Sequence, residues 1–300
     1  MEKPYLLHMI TSAKHLSPFD ANMAHDAGWS ACMPYTQVAL DEVRGLTQDA
    51  IFSRGPGGLA RTGIFLGGRD PHLALDMLAA ARSAMVPPFE ISVFADPSGA
   101  FTTASAMVAG AEALLRRRRG EGLAGQRLLI FGGTGPVGVS AAILAARAGA
   151  ETVVVSLLAL QRARDAAQLC RQRYGVTLAA ADATAEERIL ELMAGADLVF
   201  NTAAAGVQAL KSAHLAAAPR LKVACDANAV PPAGIEGVGV MDQGVPLPGS
   251  AGGALALGAL AIGNLKYRVQ QQLLRRMRES DAPHAFGLDE AFETARRDVA

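Results

Sequence analysis

Residues 128–138 read Leu-Leu-Ile-Phe-Gly-Gly-Thr-Gly-Pro-Val-Gly, an apolar run followed by glycines in the spacing G-x-G-x-x-G. The apolar run predicts a buried strand, and the Ala-rich residues after the last glycine predict a helix. In a dinucleotide-binding turn Gly133 makes the tight turn, Gly135 lets the backbone approach a pyrophosphate, and Gly138 lets the helix pack on the strand. The predicted cofactor-binding residues of the turn are Gly133, Thr134, Gly135, Pro136, Val137 and Gly138.

The composition is that of a globular protein of moderate size. The chain has 300 residues, 51% of them hydrophobic, which is enough for two medium domains with their own cores. Its 28 Lys and Arg residues balance its 28 Asp and Glu residues, so we expect no nucleic-acid partner. The one basic run, residues 116–119, fits the solvated end of a helix.

Cysteine and histidine usage argues against a metal site or a disulfide framework. Cys32, Cys170 and Cys225 are widely spaced, and the six histidines show no close ligand spacing. The N-terminus has no signal pattern, and the apolar run 251–263 is too short and too rich in glycine to span a bilayer. We therefore expect a cytoplasmic protein without a metal or a membrane partner. The motif G-x-S-x-G of serine hydrolases does not occur.

The chain after residue 127 alternates strand and helix patterns regularly. The strands are predicted at 128–131, 152–156, 176–180, 197–202 and 221–225, and the helices at 137–148, 161–174, 184–194 and 207–213. This rhythm predicts a Rossmann-type, doubly wound parallel sheet. Further strands predicted at 5–10, 50–52, 62–66 and 90–95 indicate a second α/β unit before it.

The fold class predicted is therefore α/β, with two domains. Residues 109–263 form the Rossmann domain that binds NAD(P), and residues 1–108 form an N-terminal α/β domain. We expect a C-terminal segment, residues 264–300, to complete the N-terminal domain. Its helix carries one apolar stripe of residues spaced by four: Leu265, Val269, Leu273 and Met277.

The end of the second Rossmann strand distinguishes NAD from NADP, since an acidic residue there binds the ribose 2′-hydroxyl and a basic one accommodates the 2′-phosphate. Residues 153–158 read Val-Val-Val-Ser-Leu-Leu, without an acidic residue. Ser156 and Arg162 are candidates for contacts with a 2′-phosphate, although both also fit ordinary roles in a turn and on a helix surface. The cofactor is therefore NAD or NADP.

Three clusters of small, Gly, Pro, Asp and Asn residues follow predicted strands, at 96–103, 203–206 and 226–234. Any one of them is explained by turn chemistry. Three clusters around one nucleotide motif favour a ligand cleft, because ligands bind outside the carboxyl ends of strands in open α/β sheets. Ala203 and Asn228 are our further cofactor-binding candidates.

Six segments together resemble one known family. They are residues 15–20 (His-Leu-Ser-Pro-Phe-Asp), 61–68, 94–103 (Phe-Ala-Asp-Pro-Ser-Gly-Ala-Phe-Thr-Thr), 130–138, 226–235 and 258–266. On these segments the chain resembles the methylene-tetrahydromethanopterin dehydrogenases of methylotrophic one-carbon metabolism, and most closely their NAD(P)-dependent branch.

The resemblance implies hydride transfer from methylene-tetrahydromethanopterin to NAD(P), a pterin cleft between two domains, and a homo-oligomer, a trimer or a hexamer. The NADP-specific branch has a basic residue where this chain has Leu157, so dual use of NAD and NADP is expected. The substrate-binding candidates are Asp96, Ser98, Thr102 and Thr103. On the same likeness, Asp20 would favour the developing methenyl cation and Lys266 would hold polar groups of the pterin. The alternatives are a helix-start carboxylate for Asp20 and a solvated helix residue for Lys266.

Two other functions remain open at this level. A methylene-tetrahydrofolate dehydrogenase would carry out the same reaction on another carrier. A non-catalytic NAD(P)-sensing protein would keep the glycine turn but would not need the clusters at 96–103 and 258–266. Cyclohydrolase activity is not expected, because no tyrosine stands four residues before a lysine.

Overall fold

The computed structural model describes residues 3–280 and 282–300, which divide into two compact units. Unit 1 comprises Met1–Thr102 and Tyr267–Thr294, and unit 2 comprises Thr103–Lys266 and Ala295–Ala300. Each unit is built on its own mainly parallel sheet. The α/β class with a Rossmann-type parallel sheet and a second α/β unit is therefore confirmed.

Unit 1 has a five-stranded sheet in which all pairs are parallel. Its strands are β1 (Leu6–Thr11), β2 (Ala31–Tyr35), β3 (Thr62–Gly67), β4 (Ser92–Ala95) and β12 (Ala285–Phe286), in the order β12-β4-β3-β1-β2. The helices that begin in this part of the chain are α1 (Pro18–Asp26), α2 (Val43–Phe52), α3 (Pro56–Leu59), α4 (Pro71–Ala84), α5 (Ala100–Arg119) and α11 (Leu288–Val299).

Unit 2 has a seven-stranded sheet in the order β10-β11-β9-β8-β5-β6-β7, with β10 as an antiparallel edge strand. The strands are β5 (Arg127–Phe131), β6 (Glu151–Ser156), β7 (Ala179–Asp182), β8 (Leu198–Asn201), β9 (Val223–Asp226), β10 (Gln243–Pro246) and β11 (Leu255–Leu257). The helices are α6 (Pro136–Arg147), α7 (Leu160–Tyr174), α8 (Glu186–Ala194), α9 (Ser212–Ala216) and α10 (Ala259–Glu279). The core strands run β7-β6-β5-β8-β9, the doubly wound order with a switch point beside β5.

Local sequence explains where several helices begin and end. The Asp70 carboxylate accepts hydrogen bonds from the backbone N–H groups of His72 and Leu73, and Pro71 occupies the first position of α4. Gly175 ends α7 in the left-handed conformation that a residue without Cβ adopts most readily. In α10 the predicted apolar stripe is confirmed, because its four members, Leu265, Val269, Leu273 and Met277, are all buried.

Two predicted elements are wrong. Residues 50–52 end helix α2 and form no strand; Val43, Thr47, Ala50 and Ile51 are buried in it, at the spacing of one helical face. Of the helix expected at 207–213, residues 207–211 are not helical, and the N–H groups of Ala209 and Leu210 both donate to the Gly234 carbonyl. The helix α9 begins only at Ser212. Strands β2, β10, β11 and β12 were not predicted.

The unit boundaries fall within α5, α10 and α11. The last six residues group with unit 2, where Arg296 forms ion-paired hydrogen bonds of 2.7 and 3.0 Å with the buried Glu112 carboxylate of α5. Within 3–280 and 282–300, no helix combines the length and the apolar character needed to cross a membrane.

Candidate functional site

The glycine turn of unit 2 follows β5 directly. Gly132 has the left-handed backbone conformation (φ 72°), and the N–H of Gly135 donates to its carbonyl at 3.0 Å. The tight turn therefore lies at Gly132, one residue before the position inferred from the motif. Gly133 is needed for packing instead, since a Cβ there would lie 2.7 Å from the Ile130 carbonyl oxygen and 3.0 Å from the Val154 side chain.

The last two glycines of the motif have opposite surroundings. A Cβ on Gly138 would lie 2.6 Å from the Gly133 Cα and 2.7 Å from the Thr202 hydroxyl, so α6 approaches the turn too closely for a side chain. A Cβ on Gly135 would lie 3.4 Å from the Gly132 carbonyl oxygen and, apart from adjacent residues, near nothing else in the described parts of the chain. Open space therefore adjoins Gly135, as its predicted role beside a pyrophosphate requires.

The N-terminus of α6 faces this space. Gly135 is its N-cap and provides no side chain, and Pro136 occupies its first position, where the missing N–H costs no hydrogen bond. Thr134 and Val137 are half-buried beside it. Backbone amides at such a helix start, together with the helix dipole, suit the phosphates of a dinucleotide.

The carboxyl ends of β8 and β9 adjoin the turn through a buried polar network. Ala203, a predicted cofactor-binding residue, has its N–H bonded to Asn201 Oδ1 at 3.2 Å, and its backbone would lie within 2.7 Å of a Cβ on Gly132. Asn201 Nδ2 donates to Asp226 Oδ1 at 2.8 Å, and the two residues are register partners in neighbouring strands. Small residues at 132 and 203 thereby let the loops after β5 and β8 pack closely.

Asn228 belongs to the same network. Its N–H donates to Asp226 Oδ1 at 2.9 Å, and its side-chain oxygen accepts from the N–H of Val230 at 2.9 Å. Its Nδ2 donates to the carbonyl of Pro232 at 3.1 Å. These bonds hold the loop after β9, so the structure shows a loop-organising role for a residue predicted to bind cofactor.

Sequence reasoning missed Asn201 and included Asp226 only as the first residue of the 226–234 cluster; the two side chains are the fully buried centre of that network. A Cβ on Gly234 would overlap the Asn201 amide and lie 2.8 Å from Asp226 Oδ1, so the loop after β9 crosses directly over them. A signal was present: an Asn and an Asp end two consecutive strands, and a Pro-Pro-Ala-Gly turn follows the second.

The end of β6 contains the residues predicted to select the nucleotide. Ser156 is buried, and its hydroxyl oxygen accepts from the N–H groups of Leu158 (3.3 Å) and Ala159 (3.2 Å). Leu157 packs against the hydrophobic core of unit 2, whereas Leu158 is 69% exposed. Arg162 lies exposed in the first turn of α7.

In unit 1, most of the predicted substrate residues follow β4. Asp96 is fully buried; its Oδ1 accepts from the N–H groups of Phe101 (3.0 Å) and Thr102 (3.2 Å), and its Oδ2 accepts from the Thr102 hydroxyl at 2.6 Å. The hydrogen bonds between Asp96 and Thr102 therefore stabilise the first turn of α5. Thr103, the next residue of that helix, is half-buried.

Ser98 differs from these neighbours because it is exposed and strained. Its backbone is left-handed (φ 52°), and its hydroxyl donates to the Gly68 carbonyl at the end of β3, at 2.7 Å. Within the described ranges one other non-glycine residue has a left-handed backbone, the exposed Gln37 after β2 (φ 58°). Such conformations are costly and cluster at functional sites. Both residues lie at the carboxyl edge of the unit 1 sheet.

Asp20 and Lys266 are both buried, at 3% and 8% exposure. Asp20 lies in the first turn of α1, and Gln270 Nε2 donates to its Oδ1 at 3.0 Å. The alternative of a solvated helix residue therefore does not describe Lys266, whereas Asp20 has the position of the helix-start carboxylate that was its alternative. Buried ionic groups are rare unless they are paired or functional.

Two open cavities of unit 1, of about 510 and 280 Å³, lie elsewhere. Both are lined by Glu90, Ile91 and Pro283, at the amino end of β4, and none of the predicted site residues lines them. His284, beside the larger cavity, stacks on Phe286. Burial lowers the pKa of His284, and the positive charge of Arg276 lowers it further.

Among the residues that the structure describes, no three His, Cys, Asp or Glu side chains are grouped as a metal ion would require.

The sheet order, the switch point beside β5 and the glycine turn define unit 2 as a Rossmann-type nucleotide-binding unit. The chain is similar in fold, at 12% identity, to the crystal structure of shikimate 5-dehydrogenase from Listeria monocytogenes in complex with shikimate and NAD (TM-score 0.53; 97% of this chain and 96% of that chain covered). Residues 18–98 match the family model described as methylene-tetrahydromethanopterin dehydrogenase, N-terminal.

Two full-length relatives come from Methylorubrum extorquens. The chain is 46% identical over 290 residues to its NAD(P)-dependent methylenetetrahydromethanopterin dehydrogenase, with 97% of each chain covered. It is 31% identical over 296 residues to its Bifunctional protein MdtA, with 99% of each covered. The chain therefore belongs to the methylene-tetrahydromethanopterin dehydrogenase family, as the sequence segments indicated.

Proposed function

We propose that the protein is an oxidoreductase that transfers a hydride from methylene-tetrahydromethanopterin to NAD or NADP and so forms methenyl-tetrahydromethanopterin. The observation that carries this proposal is the 46% identity over 97% of the chain to the NAD(P)-dependent enzyme of that name. The glycine turn supports it independently, because Gly135 has open space where the motif requires a pyrophosphate.

The residues of unit 2 fit a dinucleotide. The uncapped N-terminus of α6 and the half-buried Thr134 and Val137 would hold the pyrophosphate, and Ala203 would border the same region. When bound, the nicotinamide ring supplies the hydride acceptor. Asn201 and Asp226 would act indirectly, because their network holds the loops that surround the turn.

We further propose that unit 1 binds the pterin. Ser98 supports this assignment, because it is exposed and keeps a strained backbone at the carboxyl edge of the sheet. Asp96 and Thr102 would position this loop from beneath, since their side chains are occupied with the start of α5. Thr103 would contact the substrate from the first turn of that helix.

The chemistry does not require a strong acid or base. A methylene group between two nitrogens loses a hydride to form a cation that the nitrogen lone pairs stabilise, so the protein mainly orients the reactants, excludes water and supplies charge. We assign Asp20 to the stabilisation of that cation and Lys266 to the polar groups of the pterin. Their burial supports these roles, because buried charges interact strongly.

We also propose a homo-oligomer, a trimer or hexamer, on the family resemblance alone, and a cytoplasmic location, which is supported by three free thiols. Light scattering of the purified protein tests the first of these proposals. A monomer at micromolar concentration would contradict it.

The test of function is one assay matrix: methylene-tetrahydromethanopterin and methylene-tetrahydrofolate, each with NAD and with NADP, followed by the absorbance of the reduced nicotinamide. We expect turnover with the methanopterin substrate and both nucleotides. Turnover with the folate substrate alone would replace our proposal by the folate dehydrogenase. Nucleotide binding without any turnover would instead support the sensing protein.

A further inference from the structure

Strand β6 ends without the acidic residue that NAD-binding Rossmann units carry there. The position is occupied by Ser156, whose hydroxyl oxygen is engaged by the turn that follows. Leu157 packs on the core and the exposed Leu158 has no charge. The end of β6 itself therefore offers nothing that repels a 2′-phosphate.

The neighbouring strand does offer such a group. β7 pairs with β6 in parallel, and Asp182 is the register partner of Ser156. Register partners in adjacent strands point to the same face of the sheet and lie about 4.8 Å apart. The half-buried Asp182 thus places a carboxylate one strand away from the position where an acidic residue is missing.

The Asp182 carboxylate is held in place and ionised. Its Oδ1 accepts from the Thr184 hydroxyl at 2.7 Å and more weakly from the Thr184 N–H at 3.4 Å. The hydroxyl bond lowers the pKa of Asp182 despite the opposing effect of burial, and the charge of Arg188 lowers it further. Both hydrogen bonds with Thr184 use Oδ1 of Asp182, and neither uses Oδ2.

We infer that Asp182 is a specificity-determining residue for the nucleotide: its carboxylate substitutes for the missing acidic residue after β6, disfavouring the 2′-phosphate of NADP and accepting the 2′-hydroxyl of NAD. This inference rests on the proposed function, since it assumes that NAD(P) binds at the glycine turn. It goes further by naming the residue that sets the ratio between the two nucleotides.

Arg162 acts in the opposite sense. It is exposed in the first turn of α7, and its positive charge would attract the phosphate that Asp182 repels. Two opposed charges at one corner of the sheet explain how a protein of this family accepts both nucleotides. Removing either one should then shift the ratio, in opposite directions.

The experiment measures kcat/KM with NAD and with NADP for Asp182→Asn and Arg162→Gln. Asn keeps the Oδ1 acceptor of the turn while removing the charge. We expect Asp182→Asn to raise the NADP to NAD ratio about tenfold and Arg162→Gln to lower it, as expected for a partly exposed charge near a phosphate. An unchanged ratio in Asp182→Asn would overturn the inference.

Two control variants test whether a change in the nucleotide ratio comes from the Asp182 charge itself. The first tests the stability of the loop, and the second tests the effect of any nearby negative charge. Thr184→Val removes the hydroxyl bond but keeps the Asp182 charge, so the ratio should stay near that of the wild type. Glu187→Gln removes an exposed negative charge on the adjacent helix α8 and should also leave it unchanged. If Thr184→Val reproduces the effect of Asp182→Asn, the cause is loop structure and the inference is wrong.

Direct binding of NADH and NADPH, measured by nicotinamide fluorescence without any pterin, distinguishes the two levels of failure. If the wild-type protein binds neither nucleotide, the proposed function fails and the inference fails with it. If the wild-type protein binds and turns over both nucleotides but Asp182→Asn shifts neither the affinity ratio nor the kcat/KM ratio, only the inference fails.

Discussion

Gly132 in unit 2 and Ser98 in unit 1 both follow a buried parallel strand, and both have a left-handed backbone, with φ of 72° and 52°. At Gly132 a side chain is impossible, because a Cβ would lie 2.5 Å from the backbone nitrogen of Ala203. At Ser98 a side chain is present and its hydroxyl bonds to Gly68. The turn at Gly132 is possible because glycine has no side chain. The turn at Ser98 retains a hydroxyl group, and its backbone is strained as a result.

The difference explains why one region can be recognised from sequence and the other less easily. Where close packing requires glycine at several neighbouring positions, the spacing of those glycines can be read from the sequence. A strained serine or glutamine leaves no such mark, because neither residue type is specific to the left-handed conformation, which persists where the surrounding structure compensates its cost.

The largest effect is expected for Gly132→Ala. A left-handed alanine costs about 1–2 kcal/mol, and the overlap with the backbone of Thr202 and Ala203 should bring the loss above roughly 3 kcal/mol. Urea unfolding measures this loss. Gly175→Ala is the matched control, since Gly175 has φ 67° but no atom within 4 Å of its Cβ position, and only the backbone term should appear. Equal losses in the two variants would contradict the close packing at Gly132.

The next effect is expected for Gly135→Val, which should leave the fold intact. The N-cap conformation (φ −81°, ψ 168°) is extended and suits any residue, and apart from adjacent residues the one close atom in the described parts of the chain is the Gly132 carbonyl oxygen. The side chain would occupy the space for the pyrophosphate, so affinity for NADH should fall by at least about a hundredfold. Fluorescence titration and thermal unfolding measure the two properties. Wild-type affinity would refute a nucleotide site at this turn.

These two glycines also show how far sequence reasoning reaches. The spacing of Gly133, Gly135 and Gly138 predicted the turn, its strand and its helix, because the steric requirements lie within a few residues of one another. The same reasoning assigned the tight turn to Gly133 rather than Gly132. The reason is that the contact with Ala203 involves a residue about seventy positions away, which no local pattern reveals.

The failures have the same origin. Residues 50–52 are short and apolar, so a buried strand and the end of a helix look alike until the packing of α2 is known. Asn201 and Asp226 matter only because β8 and β9 are neighbours in register. The assignment of Asp96 to the substrate stays a prediction; its oxygens accept hydrogen bonds from Phe101 and Thr102, a capping role that Asp commonly has before a helix.

A third prediction concerns unit 1. Asp20→Asn removes a buried charge but keeps an oxygen that can accept from Gln270, so the fold should be retained. If Asp20 supports a developing cation, kcat should fall on the order of a hundredfold while the KM for NAD stays nearly constant. Steady-state kinetics at saturating pterin measures the effect. Asp26→Asn, at the exposed end of the same helix, is the control and should behave like the wild type. Unaltered turnover in Asp20→Asn would leave Asp20 without a catalytic role.

The smallest effect, and the one with the opposite sign, is expected at Gln37. A non-glycine residue at φ 58° costs about 1–2 kcal/mol, and glycine avoids this cost but loses about 0.5–1 kcal/mol of chain entropy on folding. Gln37→Gly should therefore stabilise the protein by about 0.5 kcal/mol.

Ser98→Gly relieves similar strain but also removes the hydrogen bond to Gly68, which contributes about 1 kcal/mol, so its net effect should be near zero or destabilising. Urea unfolding of the two variants side by side measures the difference. If Gln37→Gly destabilises the protein as much as Ser98→Gly, the Gln37 side chain makes a compensating contribution, and unit 1 does not retain strain at that position.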